Sequence, residues 1–459
     1  MIDLSKIESY RENNRIEAKK ALGGLPHSIW ETYSAFANTL GGLLLLGVEE
    51  YRDKTLHTVD LPDPEGMAEQ FWSMVNDPKT ASVNILNRNN ISIENVNGNR
   101  IIIIDIPRAH RFLKPVYVGG GAVYGTYKRT GEGDYHCSED EIRAMYRDAS
   151  AKTQDMLILE KYSINCLDKQ SIASYLTHTG IPGLSNEAEP LVSMGAAAYG
   201  MDGKLHPTAA GLLMFGRQKE IREVYPSYHL ELKDADTGER MLSSCHGGSE
   251  NVWDFYNGAV EKLSLALKEY ASLPEVMPCI REALVNCLVN ADYYSNRGVY
   301  IIKRRGLIVM SNPGDFRIEI SGAVTGGKSD PRNGVLLQMF NRIGTGKSTG
   351  SGIPGIFRVW KDIGWSEPGI VQTIDPATVA IYLPLSGTIF QSRNSGKSEA
   401  MRAINSQLII NYLTDHASAD TRELSEQIGL RPSEVSELLK MLVNEGIATA
   451  SGDVFRLKA

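Results

Sequence analysis

The stretch IREALVNCLVNADY, Ile280–Tyr293, decides how the largest part of this chain is expected to fold. Its apolar residues recur every three or four positions, which predicts a helix with one buried face. Glu282, Asn286 and Asn290 follow one another at intervals of four residues, so their side chains should form a polar stripe on the other face. A carboxylate beside carboxamides offers oxygen ligands to a hydrated metal ion. The stretch therefore predicts a helix that could hold a metal.

Composition narrows the class of protein. The chain has 459 residues, enough for roughly three domains, and its 42% of apolar residues is ordinary for a globular protein. The net charge of −7 excludes a histone-like basic coat, so nucleic-acid binding would need a local basic patch. The five cysteines form no CxxC pair, which favours a reducing cytosol over disulfides or a zinc site. The polar N-terminus is unlike a signal peptide and no apolar run could span a bilayer, so we expect a cytoplasmic protein without a membrane segment.

The first 150 residues are expected to form one α/β domain. Ser28–Leu40 has helical periodicity, Gly41-Gly42 should end that helix, and LLLLGVEE should follow as a buried strand. Ile101–Ile106 is predicted to be a second buried strand, and Val116–Arg129 a hairpin around three consecutive glycines.

Several motifs in this region occur in a known order. These motifs are ENNRIEAKK at 12–20, AFANTLGGLLLLGVEE at 35–50, KPVY at 114–117 and YKRTG at 127–131. In this order, across residues 8–148, they resemble the Schlafen AlbA-type (divergent AAA) nucleic-acid-binding domain.

The resemblance implies a carboxylate cluster. The family's acidic pair corresponds to Glu12 and Glu17, and a third carboxylate corresponds to Glu49 or Glu50. Some members use such a cluster to cut RNA with a divalent metal, Mg²⁺ or Mn²⁺, which would activate water near a phosphodiester. The alternative is that these carboxylates pair with neighbouring Arg and Lys side chains and that the domain binds without cutting.

A basic surface is expected on the same domain. Cations interleaved with tyrosines suit nucleic acid, because the cations meet phosphates and the rings stack on bases. An edge strand protected by charge is the alternative. The expected nucleic-acid-binding residues are Lys19, Arg108, Arg111, Lys114, Lys128 and Arg129.

The opening stretch belongs to a second pattern. Together with PTAAGLLMFG at 207–216, SNPGDF at 311–316 and TGSGI at 349–353, it resembles the divergent histidine-kinase-type (GHKL-like) ATPase domain, over about residues 190–385. That domain is an α/β sandwich which often follows a Schlafen AlbA-type domain in bacterial regulators.

The resemblance implies roles in binding ATP and Mg²⁺. Glu282 takes the place of a general base, and Asn286 the place of the residue that holds Mg²⁺ against the phosphates. The SNPG turn would lie near the base, and the glycines of TGSGI would let the backbone approach the phosphates. The other interpretation is a surface carboxylate at 282 and a satisfied core amide at 286. The expected nucleotide-binding residues are Asn286, Asn290, Asp292, Asn312, Gly314, Arg332, Asn333, Gly350 and Gly352.

Two departures from the family argue against hydrolysis. The family usually has His-Arg-Asp-Tyr where this chain has Asn290–Tyr293, and a carboxylate where this chain has Lys347. Nucleotide binding is therefore the expectation, with ATPase activity weak or absent. GAVTGGKS, at 322–329, matches the P-loop pattern, but the Asp-Pro turn that follows postpones the helix that a P-loop needs.

The C-terminal part is expected to be a separate module. Residues 386–403 are rich in Ser, Gly and Asn, as linkers are, and residues 404–459 resemble a winged helix-turn-helix. Its third helix, expected to start at Pro432, carries Glu434 and Glu437, which phosphates would repel. DNA reading, dimerisation and protein docking all remain open for this module.

The sequence thus predicts an α/β protein with three domains: residues 1–150 (Schlafen AlbA-type), 151–385 (GHKL-like, with a connector) and 404–459 (winged helix). The leading hypothesis is an ATP-binding regulator of transcription that interacts with DNA or RNA, forms homo-oligomers, and uses nucleotide state to control the N-terminal domain or its assembly. The alternatives are a metal-dependent nuclease, with phage defence as one role, and an inactive oligomeric scaffold.

Overall fold

The structure is a computed structural model that describes residues 7–8, 10–180, 188–245, 250–346, 350–386, 406, 409–410, 412–413, 418–428, 432–444 and 447–458. Contacts divide the chain into two compact units. Unit 1 comprises Met1–Ala151 with Asn405–Ala459, and unit 2 comprises Lys152–Ile404. The α/β class predicted from the sequence is confirmed by the alternation of helices and sheets.

The N-terminal part of unit 1 contains short helices and strands in alternation. Its helices are α1 (Ile29–Asn38), α2 (Pro64–Val75), α3 (Ala122–Gly125) and α4 (Glu139–Ala149), and its strands are β1 (Ile16–Lys19), β2 (Gly42–Leu46), β3 (Val48–Glu50), β4 (Leu56–Thr58), β5 (Ile91–Val96), β6 (Asn99–Ile106), β7 (Tyr127–Thr130) and β8 (Gly133–His136).

A four-stranded sheet in the order β1-β2-β6-β5 organises this part. Strand β1 runs parallel to β2, whereas β6 is antiparallel to both of its neighbours. Because side chains alternate along a strand, Leu44 and Leu46 join a core with Phe36 and Phe71, while Leu45 belongs to a separate core. Apolar residues thus cover both faces of the sheet.

The structure confirms one prediction for this region, the helix, and changes two others, the strand and the hairpin. The predicted helix is confirmed as α1, and Gly41 follows it with φ +73°, where an added Cβ would lie 2.8 Å from the backbone nitrogen of Arg108. The predicted strand LLLLGVEE is divided at Gly47, φ +84°, into β2 and β3. The predicted hairpin Val116–Arg129 is confirmed only in part: Tyr117 and Thr126 form an isolated antiparallel bridge on either side of the three glycines, but α3 lies between them. A separate hairpin, β7–β8, follows and turns at Gly131.

Unit 2 has a larger set of elements. Its helices are α5 (Lys169–Thr179), α6 (Ala188–Ser193), α7 (Ala209–Phe215), α8 (Gln218–Val224), α9 (Val252–Ala266), α10 (Val276–Asn290), α11 (Ile320–Thr325), α12 (Gly334–Arg342) and α13 (Gly352–Asp362), and its strands are β9 (Ala197–Tyr199), β10 (Leu205–Pro207), β11 (Leu230–Asp234), β12 (Arg240–Ser243), β13 (Val299–Arg304), β14 (Leu307–Pro313), β15 (Gly369–Ile374) and β16 (Ala377–Pro384).

A six-stranded mixed sheet, β12-β11-β13-β14-β16-β15, forms the centre of unit 2. Strands β11 and β13 pair in parallel, and β14 is antiparallel to both β13 and β16. Helix α10 packs against β14 and against helices α9, α12 and α13. Its apolar side chains, among them Ile280, Leu284 and Leu288, lie in one continuous core with Ile308 and Met310 of β14. The helical periodicity of the opening stretch is confirmed.

The C-terminal segment forms a small three-stranded sheet with two described helices. These elements are β17 (Ala419–Asp420), α14 (Thr421–Ile428), α15 (Pro432–Asn444), β18 (Ala448–Ser451) and β19 (Val454–Leu457). A wing hairpin, which the resemblance to a winged helix-turn-helix implies, is present as β18–β19. Residues 387–403 of the predicted linker, and most of residues 404–417, lie outside the described residues. Among the described helices, none combines the length and the hydropathy that a membrane span requires.

Candidate functional sites

A cleft in unit 2 lies between α10, β14 and the start of α13. Its volume is about 980 Å³, part of which is open solvent. One side is apolar, formed in part by Met310, Ile370, Val379 and Ile381. Of the residues predicted to bind nucleotide, the cleft is lined by Asn286, Asn290, Asn312, Gly350 and Gly352.

The polar stripe of α10 forms one wall of this cleft. The amide nitrogen of Asn286 donates to the carbonyl of Glu282 at 2.9 Å, and that of Asn290 donates to the carbonyl of Asn286 at 2.9 Å. Each amide is thus fixed against the preceding turn of its own helix. Among the described residues, no hydrogen bond reaches the Oδ1 atom of either asparagine. These two oxygens are the stripe's acceptors available to a ligand.

Glu282 holds the glycine-rich segment in place. Its side chain is buried, and its Oε2 accepts a hydrogen bond from the backbone N–H of Gly346 at 2.9 Å. An added Cβ on Gly352 would lie 2.1 Å from Oε1 of the same carboxylate. Glu282 is not one of the described residues that line the cleft. The predicted general base is therefore placed beneath the segment that leads into α13.

The SNPG segment forms the end of a strand before it becomes a turn. Strand β14 continues through Pro313, so the turn starts at Gly314, which has φ +99°. An added Cβ on Gly314 would lie 2.5 Å from the guanidinium of Arg332. Arg332 is buried and donates to the carbonyls of Asp315 at 3.1 Å and Asn290 at 3.5 Å. Arg332 thus joins this turn to the end of α10 from behind the cleft.

Asn333 and Asp292 also act behind the cleft. The amide of buried Asn333 donates to the carbonyls of Val289 at 3.1 Å and Ala291 at 2.8 Å, which satisfies acceptors at the end of α10. Asp292 is buried, and its carboxylate accepts the backbone N–H of Tyr294 at 3.1 Å. Both residues support the wall that carries the stripe.

Several lining residues were not predicted. Asp315, Phe316 and Arg317 follow the SNPG segment directly, and Asp330 lies on the stretch between α11 and α12. For Asp315, Phe316 and Arg317, the position immediately after a predicted turn was the available signal. Thr325, in the P-loop-like motif, ends helix α11, so the glycines and lysine of that motif do not begin a helix as a phosphate loop would.

The four N-terminal carboxylates are already paired. Glu17 is buried, with Oε2 2.7 Å from the Arg129 guanidinium and Oε1 2.5 Å from Lys19. Each of the other three has its own partner. These contacts are Lys20 to Glu49 at 2.9 Å, Lys54 to Glu50 at 3.1 Å, and the backbone N–H of Ala18 to Glu12 at 3.0 Å.

Glu12 is nevertheless electrostatically unusual. Burial, followed by the neighbouring carboxylate of Glu17, raises the pKa of Glu12 to about 7, with Glu50 contributing in the same direction. The Oε1 atom of Glu50 is buried and has no hydrogen-bond partner in the structure. Among the described residues, no group of three or more His, Cys, Asp or Glu side chains is placed to hold a metal ion.

The predicted basic surface is largely occupied by internal contacts. Arg129 is fully buried between Glu17 and Asp134, and Lys114 is buried with its Nζ donating to the carbonyl of Asn38, so neither lies where phosphate can reach it. For these two residues the expectation of a surface role is corrected. The remaining predicted cations with described contacts are Lys19, which pairs with Glu17, Lys128, which pairs with Glu141 at 2.7 Å, and Arg111, which donates to the carbonyl of Ser150 at 2.8 Å. Arg108 is half-buried.

The winged segment offers a modest positive surface. Lys440 is exposed on α15, on the same helix as exposed Glu437, and Arg456 and Lys458 are exposed on and after β19. The side chain of Glu434 lies outside the described part. Helix α15 therefore exposes both an acidic and a basic side chain, and the acidic one, Glu437, was expected from the sequence.

Three segments match known domain families. Residues 12–138 match the Schlafen, AlbA_2 family, residues 403–449 the winged helix-turn-helix DNA-binding family, and residues 143–231 a domain of unknown function, DUF8451. The N-terminal domain is a Schlafen AlbA_2 domain. The C-terminal segment is a winged helix-turn-helix, so both of these resemblances are confirmed.

Two solved structures are similar to parts or most of the chain. The N-terminal domain of a putative ATP-dependent DNA helicase RecG-related protein from Nitrosomonas europaea is similar to 29% of this chain, with 32% identity, 90% of that chain covered and a TM-score of 0.24. The alignment with the DIP2311 protein from Corynebacterium diphtheriae has 14% identity and a TM-score of 0.41, and it covers 97% of this chain and 80% of that chain. No curated protein matches the chain.

Proposed function

We propose that this protein is a nucleic-acid-binding regulator whose unit 2 binds ATP with Mg²⁺. A Schlafen AlbA_2 domain and a winged helix-turn-helix in one chain support the nucleic-acid part of the proposal. The nucleotide part rests on one observation: the cleft brings the α10 stripe, the end of β14 and the glycine-rich start of α13 around a single space. These three elements are distant in sequence.

The chemistry of the cleft fits a nucleotide. An apolar wall next to buried Asn312, near the end of strand β14, suits a purine base. Gly350 also lines the cleft just before α13, and Gly352 is the first residue of that eleven-residue helix, whose first N–H groups favour phosphate oxygens. Lys328 lines the cleft on the same side, because its backbone carbonyl would lie 2.4 Å from a Cβ added to Gly350.

The stripe also fits a magnesium ion. Asn286 and Asn290 would present amide oxygens, which are hard ligands of the kind that Mg²⁺ accepts alongside water and phosphate. Bound Mg²⁺ would neutralise phosphate charge. The carboxylate of Glu282 is committed to Gly346, so this proposal covers binding and assigns no hydrolytic step to the site.

The proposal is tested by titrating the full-length protein with a fluorescent ATP analogue in the presence of Mg²⁺. Asn286→Ala should weaken binding about tenfold, equivalent to about 1.4 kcal/mol, because it removes an oxygen that faces the cleft. Gln338→Ala, at an exposed position on α12, is the matched control and should bind as the wild type does. Equal affinity in all three proteins, or no measurable binding in any, contradicts the nucleotide proposal.

Nucleotide binding is further proposed to control the Schlafen AlbA_2 domain or the assembly of the protein into homo-oligomers. If ATP and nucleic acid are coupled, each must change the affinity of the other by the same factor. The test is to measure DNA and RNA affinity, and the mass in solution, with and without ATP and Mg²⁺. Values that do not change would leave nucleotide binding standing and remove this regulatory role.

Metal-dependent cleavage by the N-terminal carboxylates remains a second hypothesis, favoured by the unpartnered oxygen of Glu50 next to Glu12. In the arrangement described, however, the residues do not fit a divalent cation, because Arg129 and Lys19 occupy both oxygens of Glu17. No cleavage step is derived. Incubating total RNA with the protein and Mn²⁺, beside Glu12→Gln, tests the hypothesis, and an absence of products that depend on Glu12 removes it.

A further inference from the structure

Cys245 differs from every other cysteine of the chain. None of the five is in a disulfide, and Cys137, Cys166, Cys279 and Cys287 are buried, whereas Cys245 is partly exposed. It lies in the turn after β12. This turn is fixed to β11, because the N–H of Ser244 donates to the carbonyl of Leu230 at 2.9 Å and the N–H of Leu230 donates to Oγ of Ser244 at 2.9 Å. The position of the thiol is therefore set by the sheet.

Two basic side chains contact the sulfur. Nδ1 of His229, the residue before β11, lies 3.1 Å from Sγ of Cys245, and Nη2 of Arg222, on α8, lies 2.8 Å from the same atom. On its other side, Nε2 of His229 lies 2.8 Å from Oε2 of Glu231. The imidazole of His229 thus contacts the thiol through one nitrogen and a carboxylate through the other, and the guanidinium of Arg222 also contacts the sulfur.

The order of these contacts fixes the role of each imidazole nitrogen. An ionised carboxylate only accepts hydrogen bonds, so the nitrogen facing Glu231 carries the proton of the neutral ring. Nδ1 is then the acceptor that faces Cys245, and it can take the thiol proton. A nucleophile within hydrogen-bond reach of a base, which a third group orients, is the pattern of an activated side chain. Glu231 is a positioning residue in this arrangement.

A buried hydroxyl without a partner precedes His229 in the chain. Tyr228 is 2% exposed, and its hydroxyl has no hydrogen-bond partner in the structure. Burial, followed by the neighbouring Tyr293, raises the pKa of Tyr228 well above its usual value, with Cys245 among the groups that act on it. The hydroxyl therefore stays neutral, and a buried donor without a partner is costly.

We propose that Cys245 is a nucleophilic thiol that reacts with small peroxides. His229 accepts the proton of the thiol, and the sulfur attacks one oxygen of hydrogen peroxide while Arg222 donates to the sulfur. The S–O bond forms as the O–O bond breaks, so sulfur is oxidised to a sulfenic acid and the peroxide is reduced. The departing hydroxide takes the proton from His229 and leaves as water. Unit 2 would thereby report oxidising conditions, independently of whether the cleft binds nucleotide.

The experiment measures the reaction of each cysteine in the full-length protein. Hydrogen peroxide is added, sulfenic acid is trapped with dimedone, and mass spectrometry follows the five cysteines in the folded protein and in guanidinium. Cys245 should form the adduct at least tenfold faster when folded than when unfolded, because only the fold supplies the base and the guanidinium. The four buried cysteines should react more slowly when folded, which gives an internal reference.

Substitutions separate activation from exposure. His229→Asn and Arg222→Gln should each slow adduct formation at Cys245 about tenfold, whereas Glu231→Gln should slow it less, because the amide oxygen still accepts the proton of Nε2. Lys219→Gln removes an exposed cation from the same helix as Arg222 and should react as the wild type does. A Cys245 that reacts no faster when folded overturns the proposal, as do wild-type rates in the His229 and Arg222 variants. The comparison of folded with unfolded wild type stands even if a variant fails to fold.

Discussion

Arg129 joins separate segments of the N-terminal domain through buried contacts. Its guanidinium is fully buried, donates to Glu17 at 2.7 Å and to Asp134 at 3.0 Å, and also reaches the carbonyls of Asn13 and Ile16. A buried ion pair adds little net stability against an apolar replacement of the whole set, but removing one partner leaves uncompensated charge. The contacts of Arg129 therefore tie β7 to the segment that starts the domain.

We expect Arg129→Met to destabilise the domain by about 3–5 kcal/mol, because the buried carboxylate of Glu17 and the partly buried carboxylate of Asp134 lose the guanidinium that they share. Hydrogen exchange in strands β2 and β6 would measure the change, since those amides open with the core of the domain. Arg11→Met, at an exposed position, is the control and should alter stability little. Protection in β2 and β6 that equals the wild type would show that the guanidinium is dispensable.

Glu12 should make the domain less stable at higher pH. Its pKa is raised in the folded state to about 7 from a usual value near 4.5, so between these values the folded protein keeps a proton that the unfolded chain loses. Stability from this group therefore falls as pH rises through that range. Glu12→Gln should be more stable than the wild type by about 1 kcal/mol at pH 8, a figure reduced for partial solvent screening, with no advantage at pH 4.

Urea denaturation of both proteins across pH 4 to 8 measures this difference. The comparison isolates Glu12, because other titrating groups are common to both proteins and Gln can still accept the hydrogen bond from the N–H of Ala18. A constant difference in stability across the range, or a variant that is less stable at pH 8, would contradict the raised pKa.

At the scale of the element, helix α13 begins with glycines that differ in their surroundings. An added Cβ on Gly352 would collide with the Glu282 carboxylate at 2.1 Å, whereas an added Cβ on Gly355, one turn later, meets nothing within 4 Å. The two positions therefore test separately whether the close contact with Glu282 or the helix itself matters.

Gly352→Ala should displace Glu282, disturb its bond to Gly346, and weaken ATP binding at least tenfold if the cleft is a nucleotide site. Gly355→Ala should leave binding unchanged and stabilise the helix by about 0.5–1 kcal/mol, because alanine loses less conformational freedom than glycine. Nucleotide titration and thermal unfolding of both variants provide the comparison. Equal affinities in the two variants would show that the contact with Glu282 does not shape the cleft.

At the scale of the whole molecule, charge limits how nucleic acid can bind. The net charge is −7, and the predicted cations with described contacts are engaged inside the protein. Few phosphates can then be neutralised without breaking an existing contact. The logarithm of the association constant for duplex DNA should therefore fall with the logarithm of salt concentration with a slope no steeper than about −3.

Fluorescence anisotropy of a labelled DNA duplex measures this slope over a fourfold range of salt concentration, from about 50 to about 200 mM. Binding that is weak and nearly independent of salt agrees with the charge distribution. A slope of about −6 or steeper would require a basic surface other than the one described, and would contradict the expectation.

The sequence was informative where local patterns and packing agree. The helices α1 and α10 were predictable because helical periodicity coincides with burial. The hairpin over Val116–Arg129 was predictable only as far as the bridge between Tyr117 and Thr126, since three consecutive glycines leave open whether the chain turns back directly or forms the helical turn α3.

For the candidate sites, residue type was predictable and burial was not. A periodic pattern placed Asn286 and Asn290 on one face of a helix, and they line the cleft. Arg129 and Lys114 looked like surface cations, because no local pattern reveals that Glu17, Asp134 and a backbone carbonyl surround them. The Arg129–Glu17 pair joins residues 112 positions apart and the Lys114–Asn38 contact joins residues 76 apart, both beyond the reach of periodicity. Asp134 lies five residues from Arg129, across the β7–β8 hairpin.

The bonds that fix the amides of α10 to their own helix have a thermodynamic consequence. Since Asn286 and Asn290 are already held by carbonyls one turn earlier, a ligand that meets their oxygens does not have to order them. Immobilising a flexible side chain on association costs about 0.5–1.5 kcal/mol. For these two asparagines, the ordering takes place when the protein folds and not when a ligand binds. Whatever the cleft binds, the stripe is a preorganised surface, and calorimetry should find little entropic penalty from it.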